Sequence, residues 1–236
     1  MKATFESYLE MQKTHYDRRA GNWFLENKNP GVGSYDEHNA WSDYDNYLFK
    51  DFETDGLVAL EYGVGPARNL IRFDNRFKRI DGVDISKINI EKAIINLNDA
   101  KITGYNLFVC DGKSIPCGDE QYDVVFSVIC FQHICCHSIR YKILEECFRV
   151  LKPGGRLCFQ MGAGGKPNHP NIVVSGYYED AVGATQTNGG HDVSITSVAD
   201  LQKDLDVIGF GDFLIDVRPV GPGDNHANWM FVQVTK

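Results

Sequence analysis

Residues 57 to 68 place an acidic side chain and two glycines at the end of an apolar run. Leu57 to Leu60 has the composition of a buried strand, Glu61 follows it, and Gly63 and Gly65 form a tight loop before a segment that can begin a helix. A strand, a glycine loop and a helix form the nucleotide-binding unit at the carboxyl edge of a parallel sheet. Glycine is needed there because a Cβ atom would keep the backbone from turning sharply and approaching the ligand.

Two further acidic residues end predicted strands that would reach the same edge. Arg79 to Val83 is a short strand ending at Asp84, and Leu107 to Cys110 is a third strand closed by Asp111. A carboxylate some twenty residues past the glycines can accept hydrogen bonds from both ribose hydroxyls, and this offset favours ribose binding over simple helix capping for Asp84. Asp111 is also the first residue of an Asp-Gly dipeptide, which forms a turn whatever its function.

The spacing around the glycine loop resembles the first motif of the class I S-adenosylmethionine-dependent methyltransferases. Glu61, Gly63, Gly65 and Ala67 give acid-x-Gly-x-Gly-x-small, although this family usually has glycine at the third position. A dinucleotide fingerprint would instead require glycine where this chain has Arg68.

A second and more specific resemblance comes from residues 148 to 157, Phe-Arg-Val-Leu-Lys-Pro-Gly-Gly-Arg-Leu. This segment is similar to the turn before the fifth strand of the same family, and it stands at the expected distance from the glycine loop. The resemblance is at the level of motifs over residues 57 to 161 and only architectural outside them.

The resemblance implies S-adenosyl-L-methionine as cofactor and S-adenosyl-L-homocysteine as product. In this family the acid at the position of Asp111 accepts a hydrogen bond from the adenine amino group, which leaves two explanations open for that residue. The residues expected to contact the cofactor are Glu61, Gly63, Val64, Gly65, Arg68, Asp84, Ile85, Asp111, Gly112, Val128, Ile129 and His133.

The fold implied is an α/β, doubly wound, seven-stranded and mostly parallel sheet of order 3-2-1-4-5-7-6, with the last strand antiparallel and helices on both faces. The remaining predicted strands are Val124 to Val128, Arg156 to Met161, Phe213 to Val217 and Trp229 to Val234. A single domain is expected, divided into an amino-terminal helical cap (1–50), a cofactor-binding core (51–161), a substrate-lid insertion (162–196) and a terminal helix with a hairpin (197–236).

Two segments outside the core are candidates for covering the site. Residues 4 to 26 have helical periodicity and form either a packed helix or a lid, and Tyr16, Asp17, Ala20 and Trp23 resemble the pattern of the family's amino-terminal lid helix. A second short helix is expected over Trp41 to Phe49. The long, glycine-rich connection after the fifth strand is interpreted as the substrate lid, the alternative being a surface loop.

Methyl transfer depends mainly on alignment of the reactants, and a base is required only when the acceptor must lose a proton. His133, just past the fourth strand, and His191, in the lid, are candidate bases, with Tyr16 as a third candidate catalytic residue; each histidine can equally be a packing or surface residue. His226 lies in the final turn.

Composition limits the other functions. The chain of 236 residues has 32 acidic and 24 basic residues, and a net charge of −8 disfavours nucleic acid as a partner. We therefore expect a small-molecule methyl acceptor and a monomer or homodimer. No apolar run is long enough for a membrane span, and the amino terminus lacks the apolar core of a signal peptide, so a cytoplasmic location is expected.

The seven cysteines fit a reducing compartment. The cluster Cys130, His133, Cys135, Cys136 and His137 suggests a metal, but it lacks paired Cys-x-x-Cys spacing, and no metal is expected. Two alternatives to a methyltransferase remain: a catalytically silent S-adenosylmethionine-binding module with a regulatory role, and an NAD(P)-dependent oxidoreductase, which Arg68 disfavours.

Overall fold

The structure is a computed structural model that describes residues 5–26, 45–165, 172–180, 192–219 and 226–236, without the side chains of residues 21–26, 45 and 219. The helices in these ranges are α1 (Phe5–Glu26), α2 (Asp45–Leu48), α3 (Arg68–Arg72), α4 (Lys87–Asp99), α5 (His137–Val150) and α6 (Val198–Ile208). The strands are β1 (Val58–Tyr62), β2 (Arg79–Asp84), β3 (Leu107–Val109), β4 (Tyr122–Ser127), β5 (Leu151–Ala163), β6 (Ile172–Ser175), β7 (Asp192–Ile195), β8 (Gly211–Pro219) and β9 (Asn228–Thr235).

The predicted doubly wound sheet is confirmed. β3, β2, β1, β4 and β5 are parallel neighbours in that order, β9 pairs antiparallel with β5, and β8 pairs antiparallel with β9. With β8 and β9 as the sixth and seventh strands of the expected topology, the order is 3-2-1-4-5-7-6. Because β1 to β5 are parallel, their carboxyl ends meet at one edge, where ligands bind in open α/β sheets.

The number of strands differs from the expected seven, because the described part of the sheet has nine. The two additional strands, β6 and β7, come from the segment predicted to be an irregular lid, and they pair with each other in parallel. β4 pairs with β5 only as far as Ser127 and Phe159, whereas β7 joins β5 farther along, at Ala163 and Ile195. The extra pair therefore occupies the edge of β5 beyond the end of β4.

Each face of the sheet has its own apolar layer. On one face, residues of α5 and α6 pack with Leu60, Val125 and Leu157 of the strands. On the other, residues of α2, α3 and α4 pack with Ala59 and Phe126. Neighbouring residues of β1 thus bury against opposite layers, as expected for a strand covered by helices on both faces.

Serine side chains cap the starts of two helices. Ser86 caps α4, because its hydroxyl oxygen accepts from the Asn89 N–H at 3.1 Å, and Ser197 caps α6 through the Asp200 N–H at 3.2 Å. The Lys152–Gly155 segment is not a free turn after α5: it belongs to the start of β5. Its backbone pairs with the last residue of the chain, since the Lys236 N–H donates to the Gly155 carbonyl at 2.9 Å.

Helix α1 lies across the carboxyl edge of the sheet. Near its start, Gln12 Nε2 donates to the His133 carbonyl at 2.5 Å, and the Tyr8 hydroxyl donates to the same oxygen at 3.2 Å. Farther along, the Asp17 carboxylate accepts from the Ser86 hydroxyl at 2.5 Å. These contacts hold α1 over the ends of β2 and β4. Trp41, predicted to begin the second helix, is outside the described residues.

Candidate functional site

The glycine loop after β1 has the conformation that its sequence requires. Gly63 has φ +76°, and a Cβ atom there would lie 2.3 Å from Cys130 Sγ, so only glycine fits. Gly65 has φ +53° and open space on its Cβ side. Ala67, at the position where the family usually has glycine, is left-handed at φ +69° and fully buried. The neighbouring Val64 is buried beneath the loop.

Asp84 connects this loop to the next strand and helix. Its Oδ2 accepts from the Gly65 N–H at 2.8 Å, and its Oδ1 accepts from the Ser86 N–H at 2.8 Å and from Asn89 Nδ2 at 3.3 Å. Burial raises the pKa of this carboxyl, and the hydrogen bonds from Ser86, Gly65 and Asn89 oppose that rise. The Asp84 carboxylate thus lies at the edge where a ligand is predicted to bind, and it also accepts hydrogen bonds at the start of α4.

Glu61 is almost fully enclosed at the end of β1, with 1% of its surface exposed. Its Oε1 accepts from Asn69 Nδ2 of α3 at 2.6 Å, while its Oε2 has no hydrogen-bond partner among the described residues. Burial raises the pKa of this carboxyl to about 8, against the opposing effects of Asn69 and of Arg68, which is half-buried at the start of α3. A buried oxygen without a partner is unusual and marks a position where a ligand can bind.

Asp111 forms the local turn that its Asp-Gly sequence predicts. Its Oδ1 accepts from the Lys113 and Ser114 N–H groups at 2.8 and 2.7 Å, and its side chain is exposed. Slight burial raises its pKa, but these two hydrogen bonds outweigh that effect and leave the pKa below its usual value. Gly112, next to it, is buried against Leu9 of α1 and Ile85.

The segment after β4 is locally strained where it passes the glycine loop. Ile129 has φ +52°, a conformation that β-branched residues rarely adopt, whereas Val128 before it is buried. Such strain occurs preferentially at functional sites. A short 3-10 turn, Phe131–His133, follows and carries the candidate base.

His133 belongs to a cluster of four ionisable side chains, with Asp192, Tyr16 and His226. Its Nδ1 contacts Asp192 Oδ1, its ring lies 5.6 Å from the ring of Tyr16, and Asp192 Oδ2 lies 3.6 Å from His226 Nε2. Burial raises the pKa of Asp192, but His133 and His226 outweigh it and hold the pKa well below its usual range. Burial, and then the charge of Asp192, raises the pKa of Tyr16, which is therefore a neutral donor at neutral pH.

The candidate site residues thus fall into three groups. The first group lies at one edge of the sheet. It consists of the residues of the glycine loop, those at the ends of β2 and β4, and the pair His133 and Tyr16. Asp111 lies on the same side but its described contacts are local. His191 is outside the described residues.

Sequence reasoning missed the most unusual polar group at this edge. Gln132, one residue before His133, is fully buried, and neither end of its amide has a hydrogen-bond partner in the described part of the chain. No motif contains it, and burial of a polar residue after a strand cannot be read from a single sequence. The contact between Asp192 and His133 was also missed, because 59 residues separate them along the chain.

Within the described ranges, no three His, Cys, Asp or Glu side chains are grouped so that they could hold a metal ion. The cysteines that suggested one, Cys130, Cys135 and Cys136, are free thiols, and the last two are buried. None of the described helices combines the length and the apolar character needed to cross a membrane.

Comparison with known proteins agrees with this arrangement. The chain matches the family described as a methyltransferase domain over residues 60–159, which run from β1 into β5. Over these residues the chain carries a methyltransferase domain, and its sheet has the fold of the class I S-adenosylmethionine-dependent methyltransferases. The two motifs first noted in the sequence, the glycine loop and the segment at residues 148–157, both lie within the matched range.

Two curated methyltransferases are similar over part of the sequence. Phosphoethanolamine N-methyltransferase 2 of Caenorhabditis elegans is 27% identical over 162 residues, which are 67% of this chain and 35% of the relative. Malonyl-[acyl-carrier protein] O-methyltransferase of Methylococcus capsulatus is 43% identical over 56 residues, which are 24% of this chain and 19% of the relative. Both alignments span well under two-thirds of the relative's own length.

Solved methyltransferase structures share the fold. Phosphoethanolamine N-methyltransferase 2 of Haemonchus contortus, in complex with phosphomonomethylethanolamine and S-adenosylhomocysteine, has a TM-score of 0.66 at 19% identity, covering 99% of this chain and 60% of that one. An S-adenosylmethionine-dependent methyltransferase from Aquifex aeolicus has a TM-score of 0.55 at 17% identity, covering 81% of this chain and 92% of that one.

The raised pKa of Glu61 predicts a pH-dependent stability. The folded pKa is about 8 against an ordinary value of 4.5, so the native state holds a proton that the unfolded state loses, and stability falls as pH rises from about 4.5 to about 8. Glu61→Gln should flatten this decline and be more stable than wild type at pH 8 by more than about 1 kcal/mol. Urea denaturation at pH 5 and pH 8 measures both effects. The exposed Glu91→Gln serves as control, and parallel pH curves for Glu61→Gln and wild type would show that Glu61 is ionised in the native state.

The unpaired amide of Gln132 predicts a stabilising substitution. Gln132→Met keeps the volume but removes two buried polar groups, so the free energy of unfolding should rise by about 1 kcal/mol and Tm by roughly 2–4 °C. Thermal unfolding of the ligand-free protein checks this, with the exposed Gln121→Met as control. A lower Tm for Gln132→Met would mean that the amide does have partners in solution.

Proposed function

We propose that this protein transfers a methyl group from S-adenosylmethionine to an O or N atom of a small-molecule acceptor. The observation that carries the proposal is the meeting, at one sheet edge under α1, of the glycine loop, the Asp84 carboxylate and the His133 cluster. The methyltransferase domain over residues 60–159 supports the same reaction class.

The chain's own residues fit the cofactor. Gly65 leaves space for close approach, and Glu61 Oε2 is a buried polar atom without a partner among the described residues. Asp84 would hold the ribose, Asp111 and Gly112 would lie at the adenine, and Ile85, Val128 and Ile129 would supply apolar contacts. When bound, S-adenosylmethionine supplies an electrophilic methyl group on a sulfonium sulfur.

The remaining requirement is to hold the acceptor in line and to exclude water, since proximity and alignment supply much of the rate. Helix α1 serves this purpose: Tyr8 and Gln12 fasten it to the His133 carbonyl, and Asp17 fastens it to Ser86. β6 and β7 cover the adjoining edge of β5, and we assign the acceptor side of the site to this segment, as the predicted substrate lid. Tyr16 and His133 then face the acceptor.

Two features favour a small acceptor over a nucleic acid. The net charge of −8 repels phosphate backbones, and the site lies beneath a helix that is fastened at both ends of the edge. The relatives include enzymes named for an N-methyl and an O-methyl transfer. An acceptor with an amino or hydroxyl group is consistent with both.

A ligand panel tests the cofactor and the reaction. S-adenosylhomocysteine and S-adenosylmethionine should each raise Tm by mass action, while NAD should not. Methyl-labelled S-adenosylmethionine, incubated with the protein and a deproteinised small-molecule extract, should pass label into that extract. Stabilisation by NAD alone would overturn the methyltransferase function. Binding without transfer to the small-molecule or the macromolecular fraction would instead indicate a silent binding module.

Replacing Asp84 tests its assignment to the ribose. Asp84→Asn loses the charge and one acceptor oxygen, so the Kd for S-adenosylhomocysteine should rise roughly tenfold or more, equivalent to about 1.4 kcal/mol. Calorimetric titration measures it. Asp81→Asn is the matched control, because Asp81 is a buried carboxylate of the same strand that bonds the Asn106 N–H and the Tyr122 hydroxyl; it should lose stability but keep its affinity. Unchanged affinity in Asp84→Asn would contradict the assignment.

A further inference from the structure

The carboxylate of Asp192 lies between two histidines that come from distant parts of the chain. Asp192 begins β7, His133 ends the 3-10 turn after β4, and His226 lies just before β9. Asp192 Oδ1 contacts His133 Nδ1, and Oδ2 is 3.6 Å from His226 Nε2. The His226 side chain is 1% exposed, whereas those of Asp192 and His133 are 19% and 23% exposed, so the cluster is buried on one side and open at His133.

This arrangement fixes the proton on the His133 ring. A neutral imidazole carries one N–H, and a carboxylate accepts it. With Nδ1–H donated to Asp192, the lone pair is on Nε2. The backbone that carries this ring is also held in place, because the His133 carbonyl accepts from Tyr8 and Gln12 of α1.

We propose that Asp192 is a positioning residue that orients His133 as a general base, and that the acceptor therefore belongs to the class that must lose a proton, a hydroxyl or an ammonium group. This rests on the proposed methyl transfer. The acceptor proton passes to His133 Nε2, the acceptor lone pair forms the new bond to carbon, and the electron pair of the broken carbon–sulfur bond stays on sulfur. With a hydroxyl acceptor, the imidazolium carries the positive charge lost from sulfur. With an ammonium acceptor, the methylated amine carries that charge, and the imidazolium carries the charge of the proton removed from nitrogen. In both cases the imidazolium then releases its proton to solvent.

The charged and titratable groups around this pair come from each neighbouring element. Tyr16 and Arg19 belong to α1, His226 precedes β9, and Cys130 follows β4. The ring of Tyr16 lies beside that of His133. Asp192 is the carboxylate in contact with His133. Removing it should therefore change the tautomer of His133, whereas changes in the other groups should not.

The chain contains a matched control for this test. His137 Nε2 and Asp204 Oδ2 form a second histidine–aspartate pair at 2.7 Å, between α5 and α6. Asp204→Asn breaks a contact of the same chemistry without touching the His133 cluster. Asp192→Glu keeps the carboxylate and serves as the conservative variant.

The experiment compares wild type, Asp192→Asn, Asp192→Glu and Asp204→Asn by three measurements. These are the nitrogen NMR signals of His133 in ligand-free protein, the affinity for S-adenosylhomocysteine, and the rate of label transfer into the deproteinised extract. Asp192→Asn should lose the fixed Nδ1–H tautomer and slow transfer by tenfold or more, with affinity within about twofold of wild type.

Asp192→Glu should recover part of the rate, and Asp204→Asn should match wild type in all three measurements. An unchanged His133 tautomer in folded Asp192→Asn would overturn the positioning role. A changed His133 tautomer with an unchanged transfer rate would overturn the role of His133 as the general base. Wild type that binds S-adenosylhomocysteine but transfers no label would refute the proposed function and the base with it, whereas the NMR result would still decide whether Asp192 sets the tautomer.

Discussion

The buried carboxylate of Asp84 connects the parts of this molecule that must stay together. It accepts from the Gly65 N–H of the glycine loop and from the Ser86 N–H at the start of α4. The hydroxyl of Ser86 in turn donates to Asp17 of α1. The loop after β1, the end of β2, the first turn of α4 and the helix over the site are therefore positioned relative to one side chain, and loss of any one of these bonds would leave a buried polar group unpaired.

The same edge concentrates groups that are unfavourable for folding. Glu61 is a buried acid whose pKa is raised to about 8, Gln132 is a buried amide without a partner among the described residues, and Ile129 has a left-handed backbone. The opposite, amino-terminal side of the sheet is different, because Asp81 there bonds both the Asn106 N–H and the Tyr122 hydroxyl. Unfavourable groups at the ligand edge are expected where a site is shaped for a ligand and the rest of the core maintains the fold.

Local sequence signals predicted the features that depend on local chemistry. The glycine loop and the buried central strands follow from residue type and spacing. The sheet order was implied by the family resemblance that the glycine loop and the motif at residues 148–157 carry. Asp111 shows the limit of this reasoning, because the Asp-Gly turn explains all of its described hydrogen bonds and sequence alone could not separate the turn from the adenine role.

The features that were not predicted depend on long-range contacts. β6 and β7 are short and flanked by glycine-rich sequence, so their pairing is determined by the edge of β5 rather than by their own composition. The approach of Asp192 to His133 requires that pairing, since β7 begins at Asp192. A candidate base could be proposed from its place after β4, but its partner could not.

The attachment of β7 to the main sheet is small. It consists of one paired position, Ala163 with Ile195, the Gly164 N–H to the Ile195 carbonyl at 3.0 Å, and the Ser194 hydroxyl to the Gly164 carbonyl at 2.8 Å. Elements held by few bonds open locally at a much lower free energy than the global unfolding of the protein. Packing opposes such opening here, because Val193 and Ile195 of β7 are buried in the apolar layer that contains residues of α5 and α6. This margin of the site is therefore kept closed mainly by side-chain burial and not by strand pairing.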